Sequence, residues 1–319
     1  MSVKFTVYKG SLSGAIGKEV LVRVTHAGIC GTDEHYKHAG MVLGHEGIGT
    51  VKQIGESVSQ LKVGDVVGWG IMHNACGMCE PCMGGNIRLS VSAECSDQYC
   101  VNGEGYGRHN LDQGSFGSHA VWEEAYLFKV PDGLAPEHAA PLICAGATVF
   151  GAVDAVIGVG GLGHLAIQFL AKIGAEVVVF SSTESKRDEA LRLGASEFYA
   201  THGVTKFETR PLDHLLITTS ILIDSKPFLD VMKPASTLYP MTASGDNLVF
   251  QNSAVVLQGI TIQGSIVASR AVHKRMLDFA ARNHIAPIIE CFPMKKSGVE
   301  EGMARLREGK MRYRGVLVA

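Results

Sequence analysis

One short loop constrains the fold more than any other feature. Gly158-Val159-Gly160-Gly161-Leu162-Gly163 matches the pattern G-x-G-x-x-G, and it stands between a strand-like run, residues 155–159, and a helix-like run, HLAIQFLAKIG. A second strand-like run, residues 176–180, follows. Strand, glycine turn, helix and strand make one βαβ unit, which belongs in a parallel sheet with helices on its faces. In such a loop the first glycine permits the tight turn. The second lets a pyrophosphate approach the backbone, and the third lets the helix pack on the strand. The helix N-terminus adds N–H donors and the positive end of its dipole. A glycine-rich bend that binds nothing is the plainer alternative. The flanking strand and helix favour a dinucleotide site formed by Gly158, Gly160, Gly161, Leu162 and Gly163.

The end of the second strand selects the dinucleotide. A site for NAD places an acid there to accept from the ribose 2′-hydroxyl. This chain has Ser181-Ser182-Thr183-Glu184-Ser185-Lys186-Arg187 instead. Hydroxyls and two cations suit a 2′-phosphate, and Glu184 lies far enough into the turn to face solvent, so NADP(H) is favoured. A Ser/Thr cap for the next helix is compatible with that assignment.

Around this loop the chain changes character. Up to about residue 130 it reads as short strands (EVLVRVTHAGI, GIGTVKQIG, GDVVGWG, HAVWEEAYLFKV) bounded by Gly and Asp. The chain has 38 glycines, where a frequency of roughly 7% would give about 22. Gly44, Gly47, Gly49, Gly55, Gly64, Gly68 and Gly70 suit the tight bends of a compact β-barrel-like fold. Beyond the loop, SKRDEALRLGA reads as a helix, and HLLITTS, STLYPM and ITIQGSIV read as strands. Two helical stretches, AVHKRMLDFAARNH and GVEEGMARLREG, precede a last strand, YRGVLV.

Charge excludes several partners. The net charge of −2 offers no field for nucleic acid or an anionic membrane. The N-terminal MSVKFTVYKG alternates like a strand and lacks the apolar core of a secretory leader. The longest apolar stretch, residues 141–153, is ended by Asp154, too short to span a bilayer. A cytoplasmic protein with reduced thiols is expected, so the 8 cysteines point to metal and not to disulfides. Cys76-x2-Cys79-x2-Cys82 turns three thiolates toward one point, and a structural zinc wants four. Cys95 or Cys100 supplies the fourth. A redox pair lacks the expected βαβ context, and a nucleic-acid zinc ribbon lacks a basic stripe.

A second group, Cys30-Gly31-Thr32-Asp33-Glu34-His35 followed by Gly44-His45-Glu46, is unremarkable residue by residue. In order with VGDVVGWG, CGMCEPC, QGSFGSHAVW, APLICAGATVF, GVGGLGHLAIQ, SSTESK and KMRYRGVLV, it closely resembles the zinc-dependent medium-chain alcohol dehydrogenases, cinnamyl alcohol dehydrogenase-like subgroup. The resemblance runs over almost the whole chain. It implies an α/β protein with a GroES-like β-rich catalytic domain, residues 1–145 and 266–319, and a Rossmann doubly wound cofactor domain, residues 146–265.

By the same resemblance Cys30, His45 and Cys144 hold a catalytic zinc, with Glu46 able to swing onto it. Thr32 and His35 form a proton relay. Cys76, Cys79, Cys82 and Cys100 hold the structural zinc, and Ser182, Thr183 and Lys186 contact the 2′-phosphate. Arg314 has a weaker match, with anchoring of the last strand as its alternative. Trp69, Met72, His73 and Phe116 fall near family pocket positions, Trp69 equally suiting the core. The implied activity is reversible reduction of aldehydes to primary alcohols by NADPH, in a homodimer for which ITIQGSIV is a candidate edge strand.

Three places depart from the family. The usual fourth structural cysteine falls on Ser90, and residues 85–94 look like an insertion after which Gln98-Tyr99-Cys100 and Tyr106-Gly107 restore the pattern. Chain is short before Lys18 and again before Val156, beside the cofactor loop. An inactive, zinc-stabilised member with impaired cofactor binding, or an NAD-dependent polyol dehydrogenase, are therefore the alternatives.

Overall fold

The computed structural model describes residues 15–84, 95–150, 155–219, 223–241, 245 and 247–319. The N-terminal strand-like run, the insertion and most of the short segment before the cofactor loop lie outside these residues. The described chain falls into two compact units, one within Met1–Ala147 plus Val267–Ala319 and the other within Thr148–Ile266.

The first unit is built on the strand Glu19–Ile29, whose burial alternates as its sequence does. One edge pairs antiparallel with Gly47–Ile54. The other edge is shared: residues 19–23 pair with His119–Glu123, and residues 26–29 pair with the C-terminal strand Arg314–Val318. Val66–Trp69 and Phe128–Lys129 extend the sheet beyond Gly47–Ile54, while Ile289–Pro293 lies parallel to Arg314–Val318 at the opposite side. The C-terminal strand is thus the immediate neighbour of the segment that leads into Cys30.

Glycines in this sheet do a different job from the expected one. Gly44 and Gly64 do turn at positive φ, 97° and 95°. Gly47 and Gly68 lie inside strands, where a Cβ would fall 2.2 Å from Trp69 Cε2 and 2.7 Å from Ile48 Cδ1. They allow close packing beneath the sheet and are not bends. Trp69 itself is fully buried against Trp122, with ring centroids 5.9 Å apart, so it belongs to the core and not to a pocket wall.

The expected strand HAVWEEAYLFKV is interrupted by a 3-10 turn, Glu124–Tyr126. The Glu124 carboxylate there accepts from the N–H groups of Ser59, Gln60 and Leu61, a tertiary contact that no local pattern reports.

The second unit is a parallel sheet of Glu197–Ala200, Val178–Ser181, Ala155–Ile157, Leu212–Ile217, Met232–Pro240 and Thr261–Ile262, in that spatial order. Taken in chain order the strands lie 3-2-1-4-5-6, the doubly wound arrangement of dinucleotide-binding folds. Ala155–Ile157 is only 3 residues long yet central, with Ala155 and Val156 fully buried. The helix Gly163–Ile173 follows it, and its apolar residues Leu165, Ala166, Ile167, Phe169 and Leu170 are all buried.

Three local expectations change here. The run SKRDEALRLGA opens as a 3-10 turn, Glu184–Lys186, before the α-helix Arg187–Leu193. Of ITIQGSIV only Thr261–Ile262 pairs in the sheet. The helix Asn252–Gln258 and the strand Ile289–Pro293 have no counterpart among the expected elements. No helix among the described residues is long and apolar enough to cross a membrane.

Candidate functional site

Cys30 ends the strand Glu19–Ile29 and opens the helix Gly31–Tyr36. The Asp33 carboxylate folds back over this turn. Its Oδ2 accepts from the Cys30 N–H at 2.9 Å. Its Oδ1 accepts from His45 Nδ1 at 2.9 Å, from the Tyr106 hydroxyl at 2.8 Å and from the Gly44 N–H at 3.2 Å. Asp33 thus holds the His45 ring through Nδ1, which leaves Nε2 as the ring's ligand atom. That Nε2 is buried, 4.0 Å from Glu46 Oε1, and has no hydrogen-bond partner among the described residues.

Glu46 is fully buried beside His45. Gly28 gives it room, because a Cβ there would lie 1.8 Å from Glu46 Oε2. Glu46 Oε1 accepts from Arg314 Nη2, while Oε2 is buried without a partner. Burial pushes the Glu46 carboxyl up to about 7, against the pull of the guanidinium. Arg314 therefore anchors its strand through Glu46.

Cys144 comes from a different direction. It lies in a π-helical turn, Leu142–Gly146, set between the α-helical segments Pro136–Pro141 and Ala147–Phe150. Pro141 has no N–H for the ladder, and the next residues take the wider turn that marks functional sites in helices. His273 Nε2 meets the Ile143 carbonyl oxygen at 2.9 Å, and its ring stacks on Phe128 with centroids 4.6 Å apart.

These pieces bring Cys30, His45, Glu46 and Cys144 together, with their ligand atoms all within 4.8 Å of one another. The Cys144 thiol shares a hydrogen bond with Cys30, which holds Cys30 well below the ordinary thiol range and Cys144 well above it. An orphaned imidazole nitrogen among sulfur donors suits zinc. Thr32 Oγ1 lies 3.9 Å from Cys30 Sγ. His35, on the same short helix, is exposed.

A second group assembles Cys76, Cys79, Cys82 and Cys100, also with ligand atoms within 4.8 Å of one another. Cys79 Sγ is 3.4 Å from Cys82 Sγ and 3.8 Å from Cys100 Sγ. Cys95 is outside this group. Backbone N–H groups at Met78 and Cys79 bring the Cys76 thiol down to about 6, while burial and neighbouring sulfurs push Cys82 up to about 12. Four sulfurs this close together fit a closed tetrahedral zinc site.

In the second unit Gly158 has φ of 101°, Gly160 faces open space, and a Cβ on Gly163 would lie 1.8 Å from the Gly158 carbonyl oxygen. Turn, approach and close packing thus fall on three separate glycines. Gly161 and Leu162 complete the turn into the helix. Ser182 and Thr183 follow the second strand and are exposed. Lys186 Nζ lies 3.7 Å from Glu189, and Arg187 pairs with Glu184. Both expected cations thus stand beside a carboxylate. Neither Thr183 nor Lys186 caps a helix through its side chain.

Sequence alone assigns no site role to Asp33 or His273, and Tyr106 enters only through the Tyr106-Gly107 pattern. Asp33 had a local signal, its place between Cys30 and His35; the other two are joined to the site only by tertiary contact. His73 lines an open polar pocket of about 310 Å³ with Lys18, Glu19, Asn74 and Trp122, and none of the grouped metal-ligand candidates lines it.

Comparison with known proteins bears on the family and the fold. Residues 17–132 match the alcohol dehydrogenase GroES-like domain, and residues 161–282 match the zinc-binding dehydrogenase domain. A probable cinnamyl alcohol dehydrogenase of Aralia cordata is 31% identical, over 94% of this chain and 88% of that protein. The solved cinnamyl alcohol dehydrogenase of Sorghum bicolor superposes with a TM-score of 0.82 at 31% identity, covering 96% of this chain and 92% of that one. The enzyme of Helicobacter pylori, solved in complex with NADP(H), gives 0.81 at 27% identity, over 95% and 91%. The chain belongs to the zinc-dependent medium-chain alcohol dehydrogenases, in their cinnamyl alcohol dehydrogenase-like group.

Proposed function

We propose that this alcohol dehydrogenase reduces aldehydes to primary alcohols, reversibly, with NADPH as hydride donor. The observation that carries this reading is the meeting of Cys30, His45 and Cys144 around the unpartnered His45 Nε2. Those three residues would hold the catalytic zinc, and Glu46, poised on Arg314, is the neighbouring acid. When bound, zinc supplies Lewis-acid polarisation of a carbonyl oxygen, and the nicotinamide supplies the hydride.

The protein's own part is orientation and proton supply. Asp33 holds the His45 ring through Nδ1. Thr32, beside Cys30, hands a proton to the product oxygen, and the exposed His35 links that hydroxyl to solvent. Cys76, Cys79, Cys82 and Cys100 would hold a second, structural zinc. Gly158, Gly160, Gly161, Leu162 and Gly163 would cradle the cofactor pyrophosphate. Ser182, Thr183 and Lys186 would meet the 2′-phosphate, where no carboxylate stands in the way at residues 181–183.

The test combines metal analysis with NADPH-linked turnover of aromatic and medium-chain aliphatic aldehydes. Two zinc ions per chain, micromolar NADPH binding by fluorescence and aldehyde-dependent NADPH oxidation are expected. Protein that holds zinc and NADPH yet turns over no aldehyde would overturn the activity. Absence of NADPH binding would favour an inactive zinc-stabilised member, and a clear preference for NADH would transfer the proposal to an NAD-dependent enzyme.

A further inference from the structure

We infer that Tyr106 is a positioning residue for His45, acting through Asp33 and Gly44. This rests on the proposed metal-binding role of Cys30, His45 and Cys144. Tyr106 lies beyond the four-cysteine lobe, directly after the strand Glu104–Gly105, which pairs with Met72–Asn74. Its N–H donates to the Ile71 carbonyl oxygen at 2.8 Å, so its backbone is fixed by that ladder. Its side chain is almost fully buried, 4% exposed, and reaches across to the loop before the strand Gly47–Ile54.

The Tyr106 hydroxyl has two partners there, and both bear on His45. It donates to Asp33 Oδ1 at 2.8 Å, the same oxygen that accepts from His45 Nδ1 at 2.9 Å. It accepts from the N–H of Gly44, the residue before His45, at 2.9 Å. The ring lies against the imidazole, with centroids 4.9 Å apart and planes at 43°, and it meets Tyr36 edge-on at 5.5 Å. One hydroxyl therefore ties the backbone that delivers His45 to the carboxylate that orients it. The Cys30 and Gly44 N–H groups also hold the Asp33 carboxylate, at 2.9 and 3.2 Å, and the Tyr106 hydroxyl adds a side-chain donor to the oxygen that meets His45.

Tyr106→Phe deletes one oxygen and keeps the ring contacts. Wild-type and variant holoenzymes are challenged with a graded chelator and their retained zinc is counted. Cobalt-substituted protein is read in parallel through its thiolate-to-metal and d–d absorption. The four-cysteine zinc, held in the same unit, reports whether the fold is intact. The expected result is that this ion stays equally tight in both proteins. The ion at His45 leaves the variant about 10- to 100-fold more readily, and the cobalt bands shift. Equal retention of two ions and unchanged bands in the variant would overturn the role of Tyr106 alone. Loss of both ions together would also overturn it, since Tyr106 would then be supporting the whole unit. A wild type that holds only the four-cysteine ion would overturn the metal-binding role of His45 itself, and this inference with it.

Discussion

At the scale of single residues, function rests on buried polar groups whose partners come from distant chain. His45 and Glu46 are adjacent, yet Asp33 orients one and Arg314 the other. His73 is a different kind of buried group. It packs edge-on against Trp122, with centroids 4.7 Å apart, and burial pushes its pKa down to about 4 from 6.5. The folded chain keeps this ring neutral where the unfolded chain protonates it. Its contribution is therefore fully present above pH 6.5 and lost progressively as pH falls from 6.5 through 4. At 1.36 kcal/mol per pKa unit, the loss is on the order of 3 kcal/mol. Urea unfolding of the holoenzyme at pH 7.5 and pH 5 should show a larger acid-side loss in wild type than in His73→Phe. Equal losses would refute it.

At the scale of elements, the four-cysteine lobe shows how far spacing carries. Three thiols two residues apart converge through local geometry alone, so Cys76, Cys79 and Cys82 were legible. Spacing left the fourth open between Cys95 and Cys100, and only the restored family pattern at Gln98-Tyr99-Cys100 pointed to Cys100. Tertiary placement puts Cys100 beside Cys79, and its Sγ accepts from the Cys76 N–H at 3.2 Å. Cys100→Ser should lose the lobe's zinc by metal analysis, while Cys95→Ser should keep the wild-type content. The reverse pattern would make Cys95 the ligand. Strand and helix positions were legible wherever apolar residues kept a period, as in EVLVRVTHAGI and HLAIQFLAKIG. They failed where a side chain elsewhere dictated the backbone. Glu124 breaks one strand by binding the loop at Ser59–Leu61, and Ile289–Pro293 becomes a strand because Arg314–Val318 lies beside it.

At the scale of the whole molecule, the parallel sheet ends at Thr261–Ile262, which pairs on one side only among the described residues. The helix before it exposes Val256 and Leu257, at 66% and 84%, and Ile262 is 42% exposed. An open strand edge flanked by exposed apolar side chains is a pairing surface. A second copy of this chain, paired edge to edge, would cover it, in keeping with the homodimer that the family resemblance implies. Sedimentation at micromolar concentration should show a dimer for wild type and a monomer for Leu257→Glu, with zinc content unchanged. A monomeric wild type would dismiss the surface.

The amino-acid order by itself determined the local chemistry: the glycine loop, the thiol array and the periodic elements. In each of these the cause and its effect lie within a few residues. It also carried the family, because CGTDEH, GHEGIG and APLICAGATVF occur in sequence. Only the tertiary structure decided what each polar group touches. It brought Tyr106 onto Asp33, Arg314 onto Glu46 and His273 onto the carbonyl beside Cys144. It also assigned the strand glycines to close packing. Burial and hydrogen bonding are properties of neighbours in space. A chain that places neighbours far apart along its length does not reveal those contacts until it folds.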